Sequence, residues 1–163
     1  MEINLDEVDW HILTELQDNG RITNVELARR VEISAPACLR RVRALEEAGI
    51  ITGYRALINP RLLGFELTAF ALVSLKSQAE HDLQAFRDQI DVWPIVREAY
   101  MLSGDADFIL KCVARELTAF KKFIIEDLTA AANVDGVRTA LSLGVSKNRA
   151  SIPTRKTAQE LQT

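Results

Sequence analysis

Guanidinium groups are concentrated in one short stretch of this chain. Arg40, Arg41 and Arg43 lie close together on a predicted helix, and the first 60 residues contain arginine but no lysine. A guanidinium can bond a guanine base bidentately or pair with a phosphate, and small side chains let a helix backbone approach base edges. The predicted contacts with double-stranded DNA are Ser34, Pro36, Ala37, Arg40, Arg41 and Arg43. The alternative is that these arginines are solvated charges on an amphipathic helix.

A second group of polar residues lies in the segment SGDAD, between two predicted strands. A free α-amino acid needs donors for its carboxylate and an anion for its ammonium. The backbone N–H groups around Ser103 and Gly104 offer the donors, and Asp105 and Asp107 offer the anion. The alternative is a plain hairpin turn. Paired carboxylates could also serve acid–base catalysis or Mg²⁺, but no supporting motif is present, so we expect no catalytic or metal site.

Capping signals divide the first 50 residues into three helices. Asp6 precedes apolar residues at helical spacing, and Thr23 and Glu26 have the spacing of a capping box. Ser34 is placed to cap the third helix, and Gly49 is placed to end it in a left-handed conformation. Two short helices joined by a three-residue turn predict a helix-turn-helix, whose second helix enters the major groove.

The third helix has two faces of different character. Counting about 100° per residue puts Cys38, Val42 and Leu45 toward the core. The opposite face carries Pro36, Arg40, Arg43 and Glu47, with Arg41 and Ala44 on a flank.

From Ile50 onward the pattern changes to β-branched and apolar residues. The segment GIITGYRALINP predicts a short hairpin or connecting strand, and later alternation predicts strands over 67–75, 95–102, 108–113 and 137–145 with two helices among them. The order βαββαβ predicts a ferredoxin-like plan with both helices on one face of the sheet. Phe70 and Leu72 lie on the other face of the first strand. We expect that face to form a symmetric dimer with a second copy.

Composition excludes several classes of protein. Hydrophobic residues make up 48% and charged residues 26% of the 163 residues, which excludes disorder along the whole chain. The apolar stretch from Phe70 to Leu75 is far shorter than the ~20 residues of a membrane span, and the acidic N-terminus does not resemble a signal peptide. Cys38 and Cys112 are too few for a disulfide framework or a zinc site. We therefore expect a cytoplasmic protein with no cofactor, metal or membrane partner.

Two motifs, in order and correctly separated, carry a family resemblance. The segments RITNVELARRVEISAPACLRRVRALEEAGIITGYRALINP and LSGDADFILK resemble the Lrp/AsnC family of bacterial and archaeal transcription regulators. The resemblance implies an α+β chain with an N-terminal winged helix-turn-helix and a ferredoxin-like βαββαβ (RAM-type) domain, which binds amino acids and builds the oligomer. Two features depart from the family. Glu32 stands where the turn usually has Gly, and NVDGV around Val134 replaces a proline common before the last strand.

The resemblance also implies where the effector binds and how the chains assemble. The effector lies near the Gly-Asp turn, at contacts between dimers, and dimers that pair through their sheets often form octamers. Adding the positions that the resemblance assigns, the predicted effector contacts are Met101, Gly104, Asp105, Asp107, Leu117, Ala140, Leu141 and Ser142.

These inferences divide the chain into a DNA-binding domain (1–52), a linker or hinge strand (53–65), an effector and oligomerisation domain (66–149) and a polar tail (150–163). The predicted function is a sequence-specific, nucleoid-associated transcriptional regulator that responds to an amino acid. One alternative is an architectural DNA-binding protein that ignores effectors. Another is a ferredoxin-like amino-acid-binding module or enzyme, which would not need the first 50 residues.

Overall fold

The computed structural model describes residues 4–148 and 152–153, and these form two units. The first unit runs to Leu57 and includes the described residues 147, 148, 152 and 153, and the second is Ile58–Ser146. The predicted tail 150–163 lies outside the described residues, apart from Ile152 and Pro153. No helix in the described part of the chain has the length and apolar character that crossing a bilayer requires.

The first unit contains three helices: α1 (Glu7–Asp18), α2 (Asn24–Arg30) and α3 (Ala35–Glu47). The predicted cap of α1 is confirmed as a reciprocal box. The Asp9 N–H donates to Asp6 Oδ1 at 2.9 Å, and the Asp6 N–H donates to Asp9 Oδ2 at 3.2 Å. At α2 only half of the predicted box forms. The Glu26 N–H donates to Thr23 Oγ1 at 3.2 Å, while the Glu26 carboxylate binds arginines instead.

The turn between α2 and α3 requires a left-handed residue. Glu32 has φ = 58°, a conformation that favours glycine, and the Ile33 N–H then donates to the Ala28 carbonyl at 3.0 Å. Ser34 is the residue before α3, but its side chain makes no capping hydrogen bond. Instead, the Asn24 side chain donates to the Ala35 carbonyl at 2.8 Å and ties the start of α2 to the start of α3.

Apolar residues from all three helices form the core of the first unit. The predicted core face of α3 is confirmed at Cys38 and Leu45, which are buried, and Val42 packs against them. The other buried members are Ile12, Leu13, Leu27, Ala28 and Val31.

The second unit is the predicted βαββαβ arrangement. Its elements are β1 (Leu67–Leu75), α4 (Glu80–Val92), β2 (Val96–Met101), β3 (Phe108–Ala114), α5 (Leu117–Lys122) with a following π-helical turn (Phe123–Leu128), and β4 (Val134–Leu141). The sheet is antiparallel in the order β2-β3-β1-β4. Alternate residues of β1 and β3 are buried beneath both helices, where Phe86, Trp93 and Phe123 pack edge to face.

Two predicted β-elements are wrong in detail. The segment 50–60 contains no strand, because no strand of the described chain lies beside it to supply backbone partners. The last strand spans Val134–Leu141 rather than 137–145. It ends there because β4 pairs with β1, and after the Ser142 N–H has donated to the Thr68 carbonyl at 2.9 Å, little of β1 remains to pair.

The sheet face away from the helices carries a half-buried apolar strip, beside which lie Lys111, opposite Phe70, and Arg138, opposite Leu72. Phe70 and Leu72 of β1 and Ile109 and Val113 of β3 occupy it. These residues alternate with the fully buried ones, as the period of two along a strand requires.

Candidate DNA-binding surface and ligand cavity

The exposed face of α3 carries two arginines that are available to a ligand. Arg40 and Arg43 are exposed, and neither makes a hydrogen bond or ion pair with any other described residue. Ser34 and Pro36 are also exposed, and Ala37 is half-buried beside them. The result is a narrow helix start followed by two free guanidinium groups, which is suited to a major groove.

Arg41 is placed differently from its neighbours. Its Nη1 lies 2.8 Å from Asp6 Oδ2 and 2.8 Å from Asp9 Oδ1, both at the start of α1. These bonds raise the pKa of Arg41, with the larger contribution from Asp9. The structure therefore does not group Arg41 with Arg40 and Arg43, although the sequence predicted the three together.

Two further arginines at the end of α2 are also held by acids. The Glu26 carboxylate accepts two hydrogen bonds from Arg29 and one from Arg30, and Arg30 also contacts Glu15 at 2.7 Å. The bonds from Arg29 and Arg30 lower the pKa of Glu26 to about 2. Both arginines therefore already have carboxylate partners within the first unit.

A cavity of about 350 Å³ lies beside the SGDAD turn. Its lining residues are Gln78, Leu83, Met101, Leu102, Ser103, Gly104 and Asp107. The volume is in the lower part of the range for small-molecule sites. Of the predicted effector residues, the structure brings Met101, Gly104 and Asp107 together here. Asp105 is exposed and does not line the cavity.

Asp107 is the best-connected polar residue of this cavity. Its Oδ2 accepts from the Leu75 N–H and its Oδ1 accepts from Gln78 Nε2, each at 2.7 Å. Its own N–H donates to the Val73 carbonyl at 2.8 Å. Asp107 therefore fixes the end of β1 as well as facing the cavity.

Sequence reasoning missed Gln78 and did not connect Leu83 to the site. Leu83 of α4 packs against the core of the second unit and also lines the cavity. Gln78 precedes α4 in an irregular segment, where no periodic pattern or motif marks it. Only the fold brings it to Asp107.

The other predicted effector residues lie at the opposite end of the sheet. Ala140 and Leu141 pair with Phe70 and Ala69, about 17 Å along β1 from the Asp107 contact if five residues each rise ~3.3 Å. Ser142 and Leu117 are at that same end, since Leu117 begins the helix that follows β3. The second unit of one chain therefore does not gather the whole predicted set into one cavity.

No cluster of side chains suited to metal coordination occurs in the described residues. Both cysteines are buried and free, and burial raises the pKa of Cys112 to about 11. Burial keeps both thiols out of contact with solvent.

Two family models match the chain. A winged helix-turn-helix DNA-binding model covers residues 5–52, and the Lrp/AsnC ligand binding domain covers residues 68–152. The leucine-responsive regulatory protein of Rhizobium meliloti (strain 1021) is 56% identical over 93% of this chain and 97% of its own length. The transcriptional regulator AzlB of Bacillus subtilis (strain 168) is 36% identical over 94% and 98% of the two chains.

A similar solved structure is that of a transcriptional regulator from Neisseria meningitidis in complex with L-Met. It has a TM-score of 0.89 and 35% sequence identity, and the match covers 94% of this chain and 99% of that one. The likeness extends through both units of the present chain.

Proposed function

The chain belongs to the Lrp/AsnC family of transcriptional regulators, and from this premise we propose that it reads a specific DNA site through α3 and responds to an amino acid bound beside the SGDAD turn. The DNA-binding and ligand-binding domains are those of the family. The proposal concerns which residues act in each, what the effector is and how chains assemble.

The observation that carries the DNA-binding part is the contrast among the arginines of the first unit. Arg29, Arg30 and Arg41 are each held by carboxylates, while Arg40 and Arg43 remain free on the exposed face of α3. A free guanidinium can bond a base edge or a phosphate without first breaking an ion pair. Arg40 and Arg43 are the proposed base or phosphate contacts, with Ser34, Pro36 and Ala37 allowing close approach.

The proposed effector is an amino acid with an apolar side chain. Leu83, Met101 and Leu102 supply apolar cavity wall, and the N–H groups of Ser103 and Gly104 are without partners among the described residues, which leaves them for a carboxylate. Asp107 Oδ1, which accepts one hydrogen bond from Gln78, has capacity for an ammonium. The L-Met bound to the Neisseria regulator supports this ligand class.

The proposed assembly is a dimer through the open sheet face and an octamer made of four such dimers. The half-buried Phe70, Leu72 and Ile109 need a cover that the described residues do not supply. The second group of predicted effector residues is exposed: Leu117, Ala140 and Leu141, with Ser142 half-buried beside them. We place this group near the cavity of a different copy, at a contact between dimers.

We further propose that the protein has no catalytic role and acts in the cytoplasm at the nucleoid, with residues 53–65 as the hinge between its domains. The supporting observation is that its relatives are named as transcriptional regulators. An amino-acid effector and chromosomal DNA are both available in that compartment.

The test of the DNA-binding part is the substitution of Arg40 and Arg43 by Ala, singly. The probe is a duplex selected by the full chain from a random pool. Each lost base contact lowers discrimination against a shuffled duplex by ~1–3 kcal/mol, and each lost phosphate contact flattens the log–log salt slope by ~0.9. The matched control is Arg97→Ala, an exposed arginine of β2 outside any ion pair among the described residues. If both α3 variants kept the affinity and the salt slope of the unchanged chain, the assignment of Arg40 and Arg43 as DNA contacts would be wrong.

A further inference from the structure

Arg41 is one residue from Arg40 and two from Arg43, yet its guanidinium group binds carboxylates of the same chain. Its Nη1 bridges Asp6 Oδ2 and Asp9 Oδ1, each at 2.8 Å. Asp9 is 32 positions away in sequence, so this contact joins α3 directly to the first turn of α1.

The two carboxylates are themselves held in place by the cap of α1. The reciprocal hydrogen bonds between Asp6 and Asp9 do not involve Arg41, and they orient both side chains. The Asp9 N–H, together with the Arg41 guanidinium, lowers the pKa of Asp6, so the carboxylate stays charged. Arg41 therefore meets a rigid anionic site rather than two mobile surface acids.

Apolar packing beside this contact is incomplete. A cavity of about 180 Å³ lies between Leu5 and Asp9 on one side and Ala44, Leu45 and Ala48 on the other, with Arg41 in its wall. Ala44 and Ala48 offer little side-chain surface here, so the packing of α3 against α1 comes from Leu45 and the core residues beneath it. The ion pairs add a second, directed connection between the two helices beside that core.

We infer that Arg41 is a positioning residue for DNA recognition: its bonds to Asp6 and Asp9 hold α3 against α1 and so fix the direction in which Arg40 and Arg43 reach the bases. Bidentate recognition of a base tolerates little angular error, because both hydrogen bonds must be aligned together. A small rotation of α3 therefore reduces discrimination between sequences more than it reduces general attraction to DNA.

Arg41 could either position α3 or contact DNA directly. These two roles predict opposite results when its ion pairs with Asp6 and Asp9 are removed. Asp6→Asn with Asp9→Asn removes both charges but keeps side-chain oxygens for the cap of α1, since Asn also caps helices well. If Arg41 positions α3, discrimination between the selected and shuffled duplexes falls. If Arg41 contacts DNA and the acids compete for it, discrimination rises.

The experiment measures the ratio of the two dissociation constants and the salt slope for the full chain, together with its melting temperature. The control is Glu7→Gln with Asp18→Asn, which removes two negative charges from α1 itself, at exposed acids outside any ion pair among the described residues. A second variant, Arg41→Met, keeps the length of the side chain without its charge.

We expect the Asp6 and Asp9 pair of substitutions to lower discrimination about tenfold relative to the control pair. Arg41→Met is expected to lower it similarly and to leave the salt slope unchanged, because a neutralised guanidinium releases no counterion from DNA. Discrimination equal to or above that of the control pair would overturn the inference, and so would a slope flattened by ~0.9 in Arg41→Met. If Arg41→Met fails to fold, the Asp variants alone decide.

Discussion

The candidate DNA contacts of the first unit all lie on one helix, whereas the candidate ligand residues of the second unit lie at two ends of one sheet. Arg40 and Arg43 are ready on the surface of a single chain. Met101 and Asp107 line a cavity at one end of β1, and Leu141 is near the other end. On the proposed assignment, the first surface is complete in one copy, and the second is complete only in an assembly.

The difference follows from the geometry of the two folds. A helix brings residues three and four apart onto one face, so a short segment can present a whole recognition surface. A sheet separates the two ends of each strand, and only a neighbouring copy can place one end beside the other. Amino-acid binding and assembly are then linked, because a ligand that touches two copies stabilises their contact.

The largest expected effect comes from breaking the assembly. Leu72→Lys places a charge on the open sheet face directly opposite Arg138 of β4, so the new cation has no anionic partner there, and burying it in a dimer is expected to cost ~3–5 kcal/mol of dimerisation free energy. Sedimentation equilibrium of the full chain would show monomer at micromolar concentration. Thr118→Lys, at an exposed residue of α5, is the matched control and should stay dimeric. A dimeric Leu72→Lys variant would show that the interface lies elsewhere.

A smaller effect is expected from acid, which protonates an ion-paired carboxylate of the first unit. Since Glu26 has a folded-state pKa of about 2 against an ordinary 4.5, its stabilising contribution is complete above pH 4.5 and is lost as the pH falls toward 2. Glu26→Gln removes that contribution, so its melting temperature should fall slightly less between pH 5 and pH 3 than that of the unchanged chain, a small difference because solvent reaches this carboxylate and screens it. Glu47→Gln serves as the control. If the melting temperatures of the unchanged chain and both variants fell equally between pH 5 and pH 3, the proposed stabilisation by the ion pairs of Glu26 would be contradicted.

The parts of the fold that the sequence predicted are those set by local patterns. Capping at Asp6 and Thr23, the core face through Cys38 and Leu45, and the βαββαβ order all follow from spacing along the chain. The open face of β1 was likewise predicted from the alternation of Phe70 with its buried neighbours.

The missed features depend on residues far apart in sequence. The pairing of Arg41 with Asp9 spans 32 positions and the contact of Gln78 with Asp107 spans 29, and no local pattern encodes either. The strand predicted at 50–60 failed for a related reason. Its composition favours β-structure, but a strand needs a partner, and the described chain places none beside it.

The central claim is that DNA binding and the response to the effector depend on different residues. It is tested most directly by the operator affinity of Arg40→Ala and Asp107→Asn, measured with and without a panel of amino acids. We predict that Arg40→Ala weakens operator binding and keeps the response to the effector. Asp107→Asn should keep effector-free operator affinity and lose the response, since the partner of the ligand ammonium contributes ~2–5 kcal/mol. Oligomer mass, measured in parallel, should follow the response. A full effector response in Asp107→Asn, or an equal loss of effector-free affinity in both variants, would contradict this account.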